Sequence, residues 1–490
     1  MSTTPVSEPM AIDSRSGSAA IIATEPAAQN SNHSCRDADL ISKYDVSGPR
    51  YTSYPTALQF SETYTEATYR QQAQVNLKQG IAPVSLYVHV PFCQNICYYC
   101  ACNKIVTADR SVARTYLDYL HKEISLQSEL VGKYRPVTQL HLGGGTPTFF
   151  DGAELTELMH LLASHYNLSD SEQREYSIEI DPRTVTQDSL ALLKGLGFNR
   201  LSLGVQDFDE QVQRAINRRQ SVAMIKTLTE TARLYQFKSV SYDLIYGLPL
   251  QTPASLAETL ATVIDLSPDR IAFYNYAHLP QRFSSQRAID RLDLPSAQQK
   301  IAMLALIAEQ LTAAGYRHIG MDHFVKPQDE LARAQQAGKL QRNFQGYSTS
   351  LAQDLVGLGV SSISSLHASY AQNERDLDAY YQRLDRGELP ISKGVELTVD
   401  DQIRRQIIVQ LICNLQLSIA SIEKQFAIHF SEYFSQELLA LQLIENDGLL
   451  SCEGDKVIIH ERGRPMLRNI CMCFDRYLPQ GATASFSQTL

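Results

Sequence analysis

Residues 87–104 read YVHVPFCQNICYYCACNK, a β-type run that leads directly into four closely spaced cysteines. The first three have the spacing C-x3-C-x2-C, and Cys102 follows the third after one residue. Three thiolates in one short loop can ligate three irons of a cubane cluster and leave the fourth iron open to a small molecule. Structural zinc is the alternative, although it usually takes two well-separated pairs of ligands. We therefore expect Cys93, Cys97 and Cys100 to hold an iron–sulfur cluster, with Cys102 as a bystander or a substrate contact.

From about residue 85 the chain alternates short β-type runs with longer helical patterns. The predicted strands cover residues 85–90, 138–142, 176–180, 200–205, 238–245 and 270–276. The predicted helices cover residues 111–131, 152–166, 187–195, 221–235, 253–265 and 296–314. Repeated β–α units imply parallel strands joined by right-handed crossovers, either as a doubly wound sheet or as a barrel.

Polar residues alternate with apolar ones inside several of these strands. In the third strand Ile178 and Ile180 face one way while Glu179 faces the other. A parallel strand buried on both faces normally reads as continuous apolar residues. A polar face suits a barrel that holds a ligand at its C-terminal mouth, and pairing with loops above the strands is the alternative. The predicted fold class is α/β, a partial parallel (β/α)6 barrel with an N-terminal arm and a mostly helical C-terminal domain.

Composition limits what the 490-residue chain can do. Its net charge of −9 argues against a nucleic-acid partner, and no apolar run approaches the length of a membrane span. Nine cysteines, four of them between positions 93 and 102, indicate a metal in a reducing cytoplasm rather than disulfides. We predict a disordered extension over 1–39, an arm over 40–84, the barrel over 85–365 and the helical domain over 366–490.

Further candidate ligand groups come from the β–α units after the cysteine loop. GGGTPT, residues 143–148, lets the backbone approach a ligand, and its N–H groups can hold a charged methionine moiety; a plain tight turn is the alternative. Arg218 can clamp a carboxylate, while Glu179 and Asp243 can accept hydrogen bonds. Gln206 completes this set from successive units. We expect a ligand site at one rim, although each residue alone could serve a structural salt bridge.

Two regions flank the barrel. Residues 48–60, GPRYTSYPTALQF, are dense in Tyr and Pro and have neither a helical nor a strand period. Packed over the barrel they would form a lid or substrate clamp, and the alternative is a linker along the surface. Beyond residue 366, helical patterns at 401–414 and 431–444 precede a short β-like segment at 456–460.

Several longer strings resemble the oxygen-independent coproporphyrinogen III oxidase family of the radical S-adenosylmethionine (SAM) superfamily. They are PRYTSYPTA, YVHVPFC with its cysteines, GGGTPT, SIEIDPR, GVQDF, DLIYGLP, NYAHLP and RNFQGY, spread over residues 40–365. The resemblance implies one 4Fe-4S cluster, two SAM molecules and a 5′-deoxyadenosyl radical that abstracts hydrogen. It also implies decarboxylation of two propionates of coproporphyrinogen III to vinyl groups, which gives protoporphyrinogen IX in haem synthesis.

The same resemblance assigns individual residues. It implies that the cluster is ligated by Cys93, Cys97 and Cys100. The SAM on the iron would contact Tyr87, Gly144, Glu179 and Ile363. The second SAM would contact Tyr99, Gly145, Thr146, Gln206, Arg218, Asp243 and Ala277. Tyr99 stands where the family often has Phe, and Ala101 stands where it often has Gly. Because the implied substrate carries four carboxylates, we predict that Arg50 pairs with one of them.

The resemblance also implies the partners. They are coproporphyrinogen III as substrate and an electron donor such as flavodoxin or ferredoxin, with the chain acting as a monomer. One rival function is a haem-binding chaperone-like paralogue, which would usually have an aromatic residue in place of Cys102 and lack the string at 49–57. A second rival is a zinc-binding interaction protein. The presence of both Cys102 and the 49–57 string favours the enzyme.

Overall fold

The computed structural model describes residues 40, 43–79, 82–349, 354–478 and 488–489. The chain divides into two units, Met1–Lys43 and Tyr44–Leu490, and the helices and strands named below belong to the second. The disordered extension predicted for 1–39 lies outside the described residues.

Twenty strands are found in the described ranges. They are β1 (Val84–Val90), β2 (Phe92–Cys93), β3 (Ile105–Val106), β4 (Pro136–Gly144), β5 (Asn167–Leu168), β6 (Glu175–Ile180), β7 (Arg200–Gln206), β8 (Ser239–Tyr246), β9 (Arg270–Asn275), β10 (Arg317–Gly320), β11 (His323–Val325), β12 (Gln341–Asn343), β13 (Gly346–Ser348), β14 (Asp354–Leu358), β15 (Ile363–Leu366), β16 (Ser369–Asn373), β17 (Ile391–Glu396), β18 (Gln416–Ser418), β19 (Leu450–Glu453) and β20 (Lys456–Ile459).

The largest sheet has the order β10-β11-β9-β8-β7-β6-β4-β1-β14-β15-β16-β17, with β5 beside β4. All neighbours from β9 to β14 are parallel. The strands beyond both ends of this arc are antiparallel. The arc confirms the predicted partial parallel barrel. It also includes a seventh parallel strand, β14. The sequence does not predict this strand, because β14 follows no β–α unit with a helix of the expected length.

The α-helices of the described residues lie mainly outside the arc. They are α1 (Glu66–Gln79), α2 (Ser111–Val131), α3 (Gly152–His165), α4 (Gln187–Gly195), α5 (Glu210–Ala215), α6 (Val222–Leu234), α7 (Pro253–Leu266), α8 (Ala297–Ala313), α9 (Glu330–Gln336), α10 (Leu377–Asp385), α11 (Val399–Asn414), α12 (Ile419–Phe426), α13 (Phe430–Tyr433), α14 (Ser435–Asn446) and α15 (Leu467–Met472). Within the described ranges, none of them is both long and apolar enough to cross a membrane.

The helix bounds follow from local capping chemistry. At the start of α3, Asp151 and Glu154 form a reciprocal capping box, and at the start of α7, Thr252 pairs with Ser255 in the same way. One expectation needs correction. The helix predicted over 431–444 is divided at Phe434 into α13 and α14, because the backbone there leaves the helical region. The predicted arm contains the fourteen-residue helix α1.

The polar alternates of neighbouring strands contact one another inside the arc. Ser85 Oγ donates to Gln139 Oε1 over 2.8 Å. His141 Nδ1 lies 2.5 Å from Ser177 Oγ on the adjacent strand. The opposite faces of these strands carry fully buried apolar residues against the helices, such as Leu140 and Leu142. These contacts favour the predicted polar lumen over pairing with the loops above the strands.

Residues 48–60 pack on the C-terminal part of the chain. Tyr51 and Tyr54 are buried, and the Tyr51 hydroxyl donates to Asp475 Oδ2 over 3.0 Å. The Tyr54 carbonyl accepts a hydrogen bond from the Tyr370 hydroxyl over 3.4 Å. The arm is therefore fixed by side-chain contacts, and its residues 51–54 line a cavity beside α11.

Candidate active site

The cysteine loop begins where β1 ends. Strand β2 pairs in parallel with β3, so the chain between Cys93 and Ile105 closes into a compact loop. The Ile105 amide donates to the Pro91 carbonyl over 2.8 Å, which fastens the end of the loop to its start. The Tyr98 amide donates to the Ile216 carbonyl over 3.0 Å and anchors the loop to the segment after α5. The loop thus lies at the carboxyl end of the first barrel strand, where catalytic groups of such barrels are found.

The thiols of this loop lie in different environments. Cys93 and Cys97 are buried, and Cys100 is partly buried. Burial and the neighbouring Cys100 and Cys97 together raise the pKa of Cys93 to about 11, although a hydrogen bond from the Thr146 hydroxyl lowers it. The pKa of Cys100 falls to about 6, chiefly because the exposed Cys102 thiol hydrogen-bonds to it.

Two guanidinium groups lie beside Cys97. Arg218 Nη1 is 3.4 Å from the Cys97 Sγ and 3.2 Å from Asp181 Oδ2. Arg183 Nη2 is 3.7 Å from the same sulfur and also contacts Asp181 over 2.6 Å. Arg218 additionally donates to the Gly204 carbonyl over 2.7 Å, so its position is fixed from three sides. The thiolate is the form of cysteine that ligates iron, and these guanidinium groups lie next to the sulfur that would carry its charge.

The residues present fit a cubane cluster better than a single ion. Among the described residues, no three His, Cys, Asp or Glu side chains converge closely enough to hold one metal ion. A cubane requires less convergence, since each thiolate binds its own iron. The loop brings Cys93, Cys97 and Cys100 close enough for their charges to interact, and it places Arg218 against one of them. The chemistry of this donor set is that of a three-thiolate cluster site.

The glycines after β4 allow close packing. Gly144 has a φ of +115°, and a Cβ there would lie 2.7 Å from the His89 ring. A Cβ on Gly145 would lie 2.7 Å from the Pro91 carbonyl. The expectation that the amides of this turn hold a ligand stays a prediction, and three of these amides have partners within the chain. The amides of Gly144, Gly145 and Thr146 donate to the Glu179 carboxylate, the Val90 carbonyl and the Phe92 carbonyl, so they are already used within the chain.

The pKa values of two carboxyl groups at the rim are shifted in opposite directions. Burial alone would raise the pKa of Glu179, but hydrogen bonds from His141 (3.1 Å) and from the Gly144 amide (3.1 Å) lower it below its usual value. Burial raises the pKa of Asp243 to about 6, even though Ser202 Oγ donates to it over 2.7 Å. Glu179 is therefore a fixed anion near pH 7, whereas Asp243 titrates close to neutrality.

The other predicted cofactor contacts lie around this rim. The Tyr87 ring stacks on the His141 ring with centroids 5.8 Å apart. Tyr87 pairs with Gly357 on β14, against which the Ile363 backbone packs. Gln206 is buried at a β-bulge and has a φ of +66°, a strained value for a residue with a side chain.

The Gln286 side chain connects two further predicted contacts. Its Nε2 donates to the Tyr99 carbonyl over 3.0 Å and to the Ala277 carbonyl over 3.2 Å. Sequence reasoning did not assign Gln286, and it did not assign His141, Asp181 or Arg183 either. A signal for two of these existed, since Asp181 and Arg183 belong to the string SIEIDPR that ends β6.

Arg50 contacts the carboxyl end of strand β9. Its Nη2 donates to the Asn275 carbonyl over 3.0 Å, and its Nη1 lies 3.5 Å from Asp322 Oδ2. The guanidinium thus already has two partners within the chain. Its predicted pairing with a substrate carboxylate stays a prediction.

Comparison with known proteins places this geometry in a family context. The model of the Radical SAM superfamily matches residues 87–263, and that of the HemN C-terminal domain matches residues 397–466. The oxygen-independent coproporphyrinogen III oxidase of Pseudomonas aeruginosa is 51% identical over 454 residues, which cover 93% of this chain and 98% of the relative. That of Escherichia coli K12 is 49% identical, with 91% and 96% covered.

A solved structure agrees with these relatives. The coproporphyrinogen III oxidase HemN from Escherichia coli, described as a radical SAM enzyme, superposes with a TM-score of 0.84 at 48% identity. The superposition covers 88% of this chain and 98% of HemN. Membership of the superfamily implies a 4Fe-4S cluster and SAM, which the thiols of the cysteine loop suit. With half of its residues identical along nearly the whole length, this chain belongs to the oxygen-independent coproporphyrinogen III oxidase family of radical SAM enzymes.

Proposed function

We propose that this chain converts coproporphyrinogen III into protoporphyrinogen IX without oxygen, by turning two propionate side chains into vinyl groups. Near-complete coverage of relatives that carry this name supports the proposal. The observation that carries it is the closed loop of three thiols beside the Arg218 guanidinium, at the carboxyl end of a parallel barrel strand. A cluster with an open iron requires three thiolates, and catalytic groups of parallel barrels lie at the carboxyl ends of the strands.

In this proposal the predicted residues take the following roles. The cluster is held by Cys93, Cys97 and Cys100. The SAM on the open iron is held by Tyr87, Gly144, Glu179 and Ile363. A second SAM is held by Tyr99, Gly145, Thr146, Gln206, Arg218, Asp243 and Ala277. The lowered pKa of Glu179 supports its part, because a fixed carboxylate can accept hydrogen bonds from an ammonium group.

When bound, the cluster and SAM supply one-electron cleavage of the sulfonium and a radical that abstracts hydrogen. The chain supplies position, charge and a site shielded from water. Each propionate loses a hydrogen atom from its β-carbon, then carbon dioxide and one electron, which leaves a vinyl group. The cluster therefore needs a reductant and the substrate an electron acceptor. Arg218 and Arg183 offset the negative charge beside Cys97 during this change.

We infer further that a small electron-transfer protein, flavodoxin or ferredoxin, is the reductant, and that the chain acts as a monomer in the cytoplasm. Every cysteine in the described ranges is a free thiol, which supports a reducing compartment. Radical SAM enzymes need a low-potential electron donor in general, and the choice between the two proteins stays a prediction.

Anaerobic turnover tests the function. Reconstituted protein is incubated with SAM, a chemical reductant, an electron acceptor and coproporphyrinogen III, and the porphyrins are separated after oxidation. We expect protoporphyrin with release of two carbon dioxide molecules per substrate, and loss of both product and cluster absorption in Cys97→Ala. Cys452→Ala is the matched control, because Cys452 is an exposed free thiol on β19. Tight haem binding without turnover would instead favour the chaperone-like paralogue, and zinc without iron or sulfide would favour the interaction protein.

A further inference from the structure

A cavity of about 720 Å³ lies beside helix α11. Its walls come from the arm, the β12–β13 hairpin, strands β14–β16 and the inner face of α11. The volume is within the range of small-molecule sites. No residue assigned above to the cluster or to SAM lines this cavity, so it is a second concave site beside the same barrel.

Polar groups in the cavity wall have no partners within the described chain. Ser365 is buried, and its Oγ makes no hydrogen bond to any described residue. The same is true of Arg342 Nε, although Arg342 Nη1 donates to the Arg50 carbonyl over 3.4 Å. Arg405, on α11, lies with its guanidinium 5.3 Å from the centre of the Tyr370 ring, and no hydrogen bond or ion pair joins it to another described residue. Buried donors without acceptors are costly unless a ligand supplies the acceptor.

The charge in the wall is positive. The carboxylate of Asp354, the acidic residue among the described lining residues, lies 2.7 Å from the Arg135 guanidinium, which also lines the cavity. The charges of Asp354 and Arg135 cancel each other. The net positive charge of the cavity wall therefore comes from Arg342 and Arg405. Guanidinium groups with free N–H donors bind carboxylates in bidentate fashion.

One wall of the cavity contacts the barrel lumen. Asn343, which lines the cavity, lies with its Nδ2 3.5 Å from Oε1 of the lumen residue Gln139. Strand β14 contributes Leu355 to the cavity and pairs at Gly357 with Tyr87, a predicted SAM contact. Phe344 meets Tyr370 edge to face, with ring centroids 5.5 Å apart, and supplies an apolar surface within the cavity.

We propose that Arg342, Arg405 and Ser365 form a subsite for the propionate carboxylates of the tetrapyrrole substrate. The inference rests on the proposed function, because it assumes a macrocycle with several carboxylates of which some react and others only bind. The cavity receives a carboxylate-bearing edge that is not reacting, while Phe344 and Tyr370 contact the ring carbons. The reacting side chain is thereby directed toward the rim. Arg405 and its companions select substrate and do not take part in the radical chemistry.

Binding of coproporphyrin III to the reconstituted holoenzyme tests the subsite. This oxidised macrocycle keeps the four carboxylates but cannot react, and its fluorescence reports the Kd. We expect the Kd to rise about tenfold in Arg405→Gln, with partial recovery in Arg405→Lys, because a hydrogen bond to a charged group is lost. The KM for coproporphyrinogen III should rise in parallel while kcat changes less than about twofold. Arg386→Gln is the control for loss of one positive charge, since Arg386 is ion-paired to Glu388 at the surface.

Ser365→Ala and an ester of the ligand complete the test. Removal of an unpartnered hydroxyl should leave the unfolding midpoint unchanged and raise the Kd about threefold. The tetramethyl ester of coproporphyrin III should bind wild-type protein and Arg405→Gln equally, because it presents no carboxylate. Unchanged coproporphyrin affinity in the folded Arg405→Gln and Ser365→Ala variants would overturn the subsite while leaving the proposed function in place. Absence of turnover in the wild type would overturn the proposed function, and the subsite with it.

Discussion

The polar groups of the rim around the cysteine loop are hydrogen-bonded within the described chain, whereas several of those in the cavity beside α11 are not. At the rim, Arg218 contacts a sulfur, a carboxylate and a carbonyl oxygen at once, and Glu179 accepts from both a ring nitrogen and an amide. In the cavity, Arg405 and the Ser365 hydroxyl have no hydrogen-bond partner among the described residues. Strand β14 lines the cavity and pairs with β1, the strand that leads into the cysteine loop.

The difference fits the roles proposed for the two regions. A rim that positions charged cofactor groups needs its own charges fixed beforehand, because reorganisation during reaction costs rate. A binding subsite keeps donors available for the ligand that will arrive. Substitution at the rim should therefore disturb several contacts together, whereas substitution in the cavity should weaken one ligand contact at a time.

Arg218→Gln is the strongest way to break the rim. Removing this buried cation leaves Cys97 and Asp181 with Arg183 alone and the Gly204 carbonyl with only a 3.3 Å bond from Gln220 Nε2. We expect about 3 kcal/mol of lost stability, the usual cost of breaking a buried ion pair. Turnover should fall at least about 100-fold, because the groups around the cluster lose their position. Urea unfolding and anaerobic turnover measure the two effects.

Arg214→Gln is the control for this change. Arg214 lies near Arg218 in the chain, but its ion pair with Glu210 is at the surface, where such pairs contribute less than about 1 kcal/mol. A fully active Arg218→Gln enzyme with normal iron content would contradict the view that the rim charges act as one network.

Gly144→Ala is expected to have the next largest effect. A Cβ would lie 2.7 Å from the His89 ring, on a backbone with φ of +115° that L residues rarely adopt. Strain and overpacking together should cost about 2–5 kcal/mol. Gly195→Ala makes the same chemical change at the end of α4, where a Cβ would meet no atom within 4 Å, and should shift the free energy of unfolding by less than about 1 kcal/mol. Equal urea midpoints for the two variants would contradict the close packing at Gly144.

The contrast between rim and cavity also explains what the sequence could predict. The rim is built from motifs that each follow a strand of a β–α unit, so periodicity and motif order place Cys93 and Glu179 at one end of the barrel. The hydrogen bond from the Gly144 amide to Glu179 could not be predicted from the local sequence. The two residues are 35 positions apart, and the register of strands β4 and β6 brings them together. Two strings quoted above contribute to the cavity wall, RNFQGY with Arg342 and PRYTSYPTA with Tyr51 and Tyr54, but neither of them predicts a cavity. Arg342, Ser365 and Arg405 are brought together only by the packing of α11 on β14–β16, to which no short-range pattern corresponds.

The smallest predicted effect concerns the support of β14, the strand between the two regions. Glu123 on α2 is fully buried, and its carboxylate accepts from the Gly359 amide just after β14, from Asn373 Nδ2 and from the Tyr380 hydroxyl, each over 2.6 Å. Burial raises the pKa of Glu123 from 4.5 to about 7 despite these donors. The folded protein therefore binds a proton that the unfolded chain releases between these values.

The sign of the pH dependence follows directly. The bound proton makes its full contribution to the free energy of unfolding below about pH 4.5. This contribution, at most about 3 kcal/mol, is lost as the pH rises through about 7. We expect the free energy of unfolding of Glu123→Gln, measured by urea between about pH 5 and 8, to lack this decline. Glu129→Gln, on the exposed face of the same helix, should keep the wild-type slope. If the free energy of unfolding of Glu123→Gln declines as steeply with pH as that of the wild type, Glu123 does not titrate in this range. The carboxylate that supports β14 must then be charged throughout it.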